Sequence, residues 1–210
     1  MESISERMNS TAFSFIKAYF KLRVANLRTG LLLTLCSTLF MGCTKQLEFY
    51  ELEVKDDLFF ERATNSLFTG LAIEYSTKGH VIRKSNFSNG KKNGRELVYW
   101  SSGKRKLRVD YVNGKKNGLY QSFHPSGDLK IKVHYEKDTR VGLFEEFYNG
   151  GILHTRMHYL DGRRHGPYET FDENGDKLAV GEYIDDKPSG IWTEFDKGHV
   201  IRKSNFSNGK

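Results

Sequence analysis

Apolar and polar side chains alternate strictly along Leu107-Arg108-Val109-Asp110-Tyr111 and again along Ile131-Lys132-Val133-His134-Tyr135. Successive side chains on a strand point to opposite faces, so the alternation predicts strands with one apolar and one polar side. These two runs are the same run 24 residues apart. Six glycines, Gly70, Gly94, Gly118, Gly142, Gly166 and Gly190, keep that interval without a slip. So do the aromatics Tyr75, Tyr99, Phe123, Phe147, Phe171 and Phe195, and a second aromatic series at Phe87, Tyr111, Tyr135, Tyr159 and Tyr183, with Phe206 one residue early. A fixed period of this length marks an array of one repeated supersecondary unit.

Ser126-Gly127, Asn174-Gly175, Asn113-Gly114 and Asp161-Gly162 fall between the runs. Such pairs supply the positive φ values that tight hairpin turns need. Each unit therefore predicts a β-hairpin, and the whole an all-β protein: an elongated single antiparallel sheet of stacked 24-residue β-hairpin repeats. Six units of two strands would span about 55 Å at roughly 4.8 Å per strand. An isolated hairpin is marginal in water, so neighbours must cover one another's rings.

The aromatic, x, x, Asn-Gly-Lys, x, x, Gly pattern of Tyr111-Val112-Asn113-Gly114-Lys115-Lys116-Asn117-Gly118 and its counterpart Tyr159 to Gly166 resembles the bacterial MORN-variant repeat over residues 65–210. The resemblance implies a non-catalytic repeat protein, of the kind commonly labelled MORN-repeat proteins or YwqK-like antitoxins. Asp138 and Asp186 depart from the pattern by replacing the turn glycine, and Val141 and Ser189 replace the usual Asn or His before the closing glycine.

Residues 30–41 are almost wholly apolar and follow Lys17, Lys21, Arg23 and Arg28. Twelve residues cannot cross a hydrocarbon core of about 30 Å as a helix, whereas a basic region before a short apolar run is an export signal. Its end, Leu39-Phe40-Met41-Gly42-Cys43, resembles a bacterial lipobox, which implies a lipoprotein signal peptide at 1–42 and acylation of Cys43. A signal cleaved elsewhere or an uncleaved anchor is the alternative. Lipidation predicts a protein attached to the membrane surface of the bacterial cell envelope. Thr44 and Lys45 follow the cysteine, and with no aspartate there the resemblance to enterobacterial lipoproteins implies the outer membrane in a Gram-negative cell. Residues 43–64 read as a tether with room for one irregular capping strand.

Cys36 leaves with the signal and Cys43 is the lipidation candidate, so no disulfide is expected within the mature chain. Five basic and two acidic side chains lie in residues 1–43, so the net charge falls from +7 to +4 without them. That removes the main support for nucleic-acid binding. The remaining cations are ordered: Lys84, Arg108, Lys132 and Arg156 share one phase, while Lys91-Lys92, Lys115-Lys116 and Arg163-Arg164 line the turns. Such a column suits an acidic protein partner or anionic lipid head groups. A solvated strand face, with lysines that discourage edge pairing, is the plain alternative. Tyr120, Phe144, Tyr168 and Trp192 form a further aromatic row, three residues before the main aromatic of their units and hence on the opposite face. They are either an exposed groove for a partner or part of one core.

Same-phase His134 and His158 stand about 10 Å apart, too far to share a metal ion. The sequence has no nucleophile elbow, phosphate loop or convergent carboxylate pair. No enzyme activity and no cofactor are expected. The favoured function is a membrane-anchored binding ribbon with an unidentified protein partner; the alternative is an antitoxin that neutralises a cognate toxin. Residues 78–91 and 197–210 are identical.

Overall fold

The computed structural model describes residues 44–207; the segment expected to be a signal peptide (1–42) and the lipidation candidate Cys43 lie outside the described residues. The strands begin with β1 (Gln46–Glu48), β2 (Leu52–Lys55) and β3 (Leu58–Glu61), with one 3₁₀ turn at Phe49–Glu51. The array follows as β4 (Gly70–Tyr75), β5 (Val81–Ser88), β6 (Lys91–Tyr99), β7 (Arg105–Val112), β8 (Lys115–Phe123) and β9 (Leu129–Glu136). It continues through β10 (Thr139–Phe147), β11 (Leu153–Leu160), β12 (Arg163–Phe171), β13 (Lys177–Ile184), β14 (Lys187–Asp196) and β15 (His199–Phe206). Strands β4 to β15 pair in chain order, each antiparallel to the next, in one open 13-stranded sheet. The predicted architecture is present, with two additions at its N-terminal end. β1 joins β4 in parallel, and β2–β3 form a separate two-stranded sheet.

Two kinds of turn alternate. At one edge both central residues have positive φ: Asn113 at 49° and Gly114 at 83°, Asp161 at 48° and Gly162 at 83°. That is the two-residue hairpin whose twist matches the strands. Lys137-Asp138 and Asp185-Asp186 adopt the same turn without glycine, at φ 48° and 72° and at 49° and 67°. The aspartate at the second position of each contributes what a glycine cannot: Asp138 Oδ1 accepts the Lys116 amide at 2.8 Å and Asp186 Oδ1 the Arg164 amide at 3.0 Å. These hydrogen bonds hold the Asp186 carboxyl below its ordinary pKa. At the other edge the loops have three residues ending in glycine, as where the Trp100 amide donates to Lys104 O and Gly103 N to Trp100 O. The one-residue deletion in the last unit turns that loop into a two-residue turn, Lys197-Gly198, at φ 47° and 78°.

The turns also join hairpin to hairpin. The second turn residue donates its amide to a carbonyl 22 residues earlier: Gly114 to Lys92, Asp138 to Lys116, Gly162 to Arg140 and Asp186 to Arg164, at 2.8–3.0 Å. The first turn residue donates to the side chain 20 residues back where that side chain can accept, Asn113 N to Asn93 Oδ1 and Lys137 N to Asn117 Oδ1. This explains why asparagine precedes the in-phase glycine in those units, and Val141 leaves the next turn without the contact.

The in-phase glycines sit inside strands rather than between them. Between the pairs Val109↔Tyr120 and Tyr111↔Lys116, three residues centred on Gly118 face Asp110 alone. Gly118 has φ 110°, and a Cβ there would stand 3.3 Å from Asp110 Cβ. A bulge of this kind requires glycine, which is why the period is so exact in that residue.

Residues 44–69 cap the array. Phe68 and Ala72 are fully buried and join Leu52 and Phe87 in a core against which Leu47, Phe49 and Phe59 pack. Phe87 meets three rings, those of Phe49, Phe59 and Phe68, at centroid distances of 6.1, 4.6 and 5.6 Å. The Phe59 amide donates to Gly90 O and the Gly90 amide to Phe68 O, both at 2.8 Å, so the cap is sewn to the first turn.

Candidate binding surfaces

One face of the sheet carries the second aromatic series. Tyr111, Tyr135, Tyr159 and Tyr183 each stand across from an in-phase glycine of the preceding strand: Gly94, Gly118, Gly142 and Gly166. On the following strand each stands across from Lys116, Arg140, Arg164 or Pro188. The cation that covers each ring comes from the strand before. Lys92 lies over Tyr111 and Lys116 over Tyr135, both at 5.0 Å; Arg140 lies over Tyr159 at 5.5 Å and Arg164 over Tyr183 at 4.1 Å. Rings of this type attract cations through their π faces. Arg140 also donates to the hydroxyls of Tyr135 and Tyr159 at 3.2 and 3.3 Å. The result is a ladder of alternating cations and phenols along one edge.

Tyr120, Phe144, Tyr168 and Trp192 lie beside this ladder on the same face. Tyr120 meets Tyr135 at 5.7 Å, Phe144 meets Tyr159 at 6.0 Å and Tyr168 meets Tyr183 at 5.5 Å. Phe144 is buried with Val133 and Tyr135, whereas Tyr120, Tyr168 and Trp192 are half-buried. Burial raises the phenol pKa values of Tyr120 and Tyr168, and the neighbouring Tyr135 and Tyr183 add to it. The row is therefore neither all exposed nor all core. Trp192 owes its position to a residue that periodicity does not mark: a Cβ on Gly181 would come within 2.3 Å of the indole. We expect Gly181→Ala to unstack Trp192 from Tyr168, now 5.2 Å apart, and to cost about 1–3 kcal/mol by overpacking. Urea unfolding and tryptophan emission check this, with unchanged values for both counting against the close packing.

At the same phase stand Ala72 in the first unit, fully buried, and Glu96 in the second, 5% exposed. Its carboxylate accepts Ser85 Oγ at 2.8 Å and Lys92 Nζ at 2.8 and 2.9 Å. Burial first, and then the Glu96 carboxylate, push the Tyr111 phenol far up. A buried ion pair here replaces the aromatic of later units.

The opposite face holds the basic column, whose members occupy alternate strands. Lys132 and Arg156 both reach Glu145, at 3.4 and 3.5 Å, and Arg156 reaches Glu169 at 3.7 Å. Arg108 pairs with Asp110 at 3.4 Å. Lys84 stands between Ile73 and Leu97 and makes no ion pair among the described residues. The period alone did not foretell this neutralisation, because Glu145 and Glu169 occupy the interleaved strands at a phase of their own and Asp110 lies two residues along Arg108's own strand. Among the described residues no group of His, Cys, Asp and Glu could hold a metal ion, and no helix is long and apolar enough to cross a membrane.

An open sheet one layer thick, built of clipped hairpins with in-phase side chains, defines a β-ribbon repeat protein. The family described as MORN repeat variant matches residues 116–137 and 164–185, two stretches lying two periods apart. No curated protein matches the chain.

Proposed function

We propose that this chain is a non-catalytic, lipid-anchored binding ribbon of the bacterial cell envelope, tethered through Cys43 and presenting its faces to a protein partner. The observation that carries the reading is the cation–phenol ladder, which runs along a face that no second layer of the described residues covers beyond the N-terminal cap. Tyrosine, tryptophan and arginine, gathered side by side on this face, are the side chains that dominate protein interfaces. The family match at two stretches supports a repeat protein without an active site. Anionic lipid head groups are the other ligand that the basic column suits, and nucleic acid is not among the proposed partners.

Two measurements test this. Palmitate labelling should tag the wild type and spare Cys43→Ala; labelling of both, or of neither, would remove the anchor. Cross-linked capture from envelope fractions should lose its product when Lys84, Arg108, Lys132 and Arg156 are all changed to Ala, or when Tyr168 and Trp192 are changed to Ser. A product unaffected by either set would remove both surfaces. The resemblance of the turn motif favours a second reading, an antitoxin for a cognate toxin. Rescue of growth on co-expression with that toxin would replace the first reading with the second.

A further inference from the structure

On the face that carries the basic column, beside the three-residue loops, lies a cleft of about 430 Å³. His80, Val81, Lys84, Tyr99 and the loop Ser101-Ser102-Gly103 line it. Its polar groups have one thing in common. The Lys84 ammonium, the His80 imidazole and the hydroxyls of Ser101 and Ser102 can all donate hydrogen bonds. None of them has a side-chain partner among the described residues. No carboxylate lines the cleft.

This differs from the rest of the column. Arg108, Lys132 and Arg156 each have a carboxylate within 3.5 Å, supplied by Asp110 or Glu145. Lys84 has Ile73 and Leu97 across its two neighbouring strands, where Arg156 has Glu145 and Glu169, and Asn86 two residues on, where Arg108 has Asp110. Lys84, half-buried as a residue and flanked by two aliphatic side chains across the strands, carries its ammonium with no counter-charge beside it. The fold thus gathers hydrogen-bond donors, and no carboxylate, around one uncompensated positive charge.

We infer that this cleft is a binding site for a carboxylate carried on an aromatic or apolar body. The carboxylate would lie against Lys84 Nζ and the two serine hydroxyls, and the body against Val81 and the Tyr99 ring. A single unpaired ammonium favours a singly charged group over a phosphoryl dianion. The volume falls in the range of small-ligand sites. The same chemistry has two sources, a free carboxylic acid or an acidic side chain next to an aromatic one in a partner segment. The site goes beyond the binding reading above and does not depend on Cys43.

The repeated 14 residues supply an internal control. His199, Val200 and Lys203 copy His80, Val81 and Lys84, yet Lys203 lies across from Thr193 and has no counterpart of Tyr99 or Ser101-Ser102 beside it among the described residues. Calorimetric titration of the full chain with phenylacetate should show saturable binding, and uncharged phenylacetamide should show none. Lys84→Gln should weaken phenylacetate at least about tenfold, the scale of one charge-assisted hydrogen bond. Lys84→Arg should retain most of the affinity, and Lys203→Gln all of it. Acetyl-Phe-Asp-amide binding more tightly than phenylacetate would uphold the site and assign it to a partner segment; weaker binding would uphold it and assign it to a free acid. The inference is overturned if phenylacetate does not bind, if phenyl phosphate binds more tightly, or if Lys84→Gln leaves affinity unchanged. Equal losses from Lys84→Arg and Lys84→Gln, or from Lys203→Gln and Lys84→Gln, would overturn it too.

Discussion

Glu96→Ala should destabilise the N-terminal repeats by about 3–5 kcal/mol, because it strands a partly buried ammonium and a fully buried hydroxyl at once. Ser85 is 0% exposed and donates to Glu96, and Lys92 loses its counter-ion. The cost belongs to the broken pair rather than to the lack of an intact one. Changing Glu96 and Lys92 together to Met should recover most of that loss, since buried pairs replaced by apolar groups are often neutral or better, and leave about 1–3 kcal/mol for the Ser85 hydroxyl that still lacks its acceptor. Each hairpin touches chiefly its neighbours, so the loss should be local. Hydrogen exchange should accelerate in β4 to β7 of Glu96→Ala while β11 to β14 keep their protection. A single substitution as stable as the double would show that Glu96 carries no structural charge pair.

Phe68→Ala should be comparably severe, at about 3–5 kcal/mol for a fully buried phenylalanine. Its ring is one of three around Phe87, and Gly90 donates to its carbonyl. With the ring gone, Leu52 and Phe87 face a void, and the β2–β3 sheet loses its seat on the array. Limited proteolysis should then cut within residues 44–69 well before it cuts the repeats. Intact resistance across that segment would mean that the strand pairing of β1 with β4 holds the cap unaided.

Much of this architecture is legible in residue order. The 24-residue spacing, the alternating runs and the Asn-Gly pairs predict both the hairpins and their pairing sequence, because each property is local to one unit or repeats identically between units. Asp138 and Asp186 look like defects in that reading. Their role as acceptors for the amides of Lys116 and Arg164 depends on a strand 22 residues away. The cap was less legible, since its parallel strand and separate sheet occur once and no repetition reinforces their weak patterns. The candidate surfaces divide in the same way. That Tyr120, Phe144, Tyr168 and Trp192 share a face follows from strand periodicity. Which of them is buried follows from Val133 beside Phe144 and from the empty place that Gly181 leaves for Trp192. The charge state of the basic column required knowing that Glu145 and Glu169 occupy the interleaved strands.

The turn amides all reach backward, from Gly114, Asp138, Gly162 and Asp186 to carbonyls of the preceding hairpin. The ribbon is consequently polar in its assembly, like a zipper with one slider. Each newly made hairpin finds its docking carbonyl already in place on the nascent chain, and the aromatic cap provides the first such template.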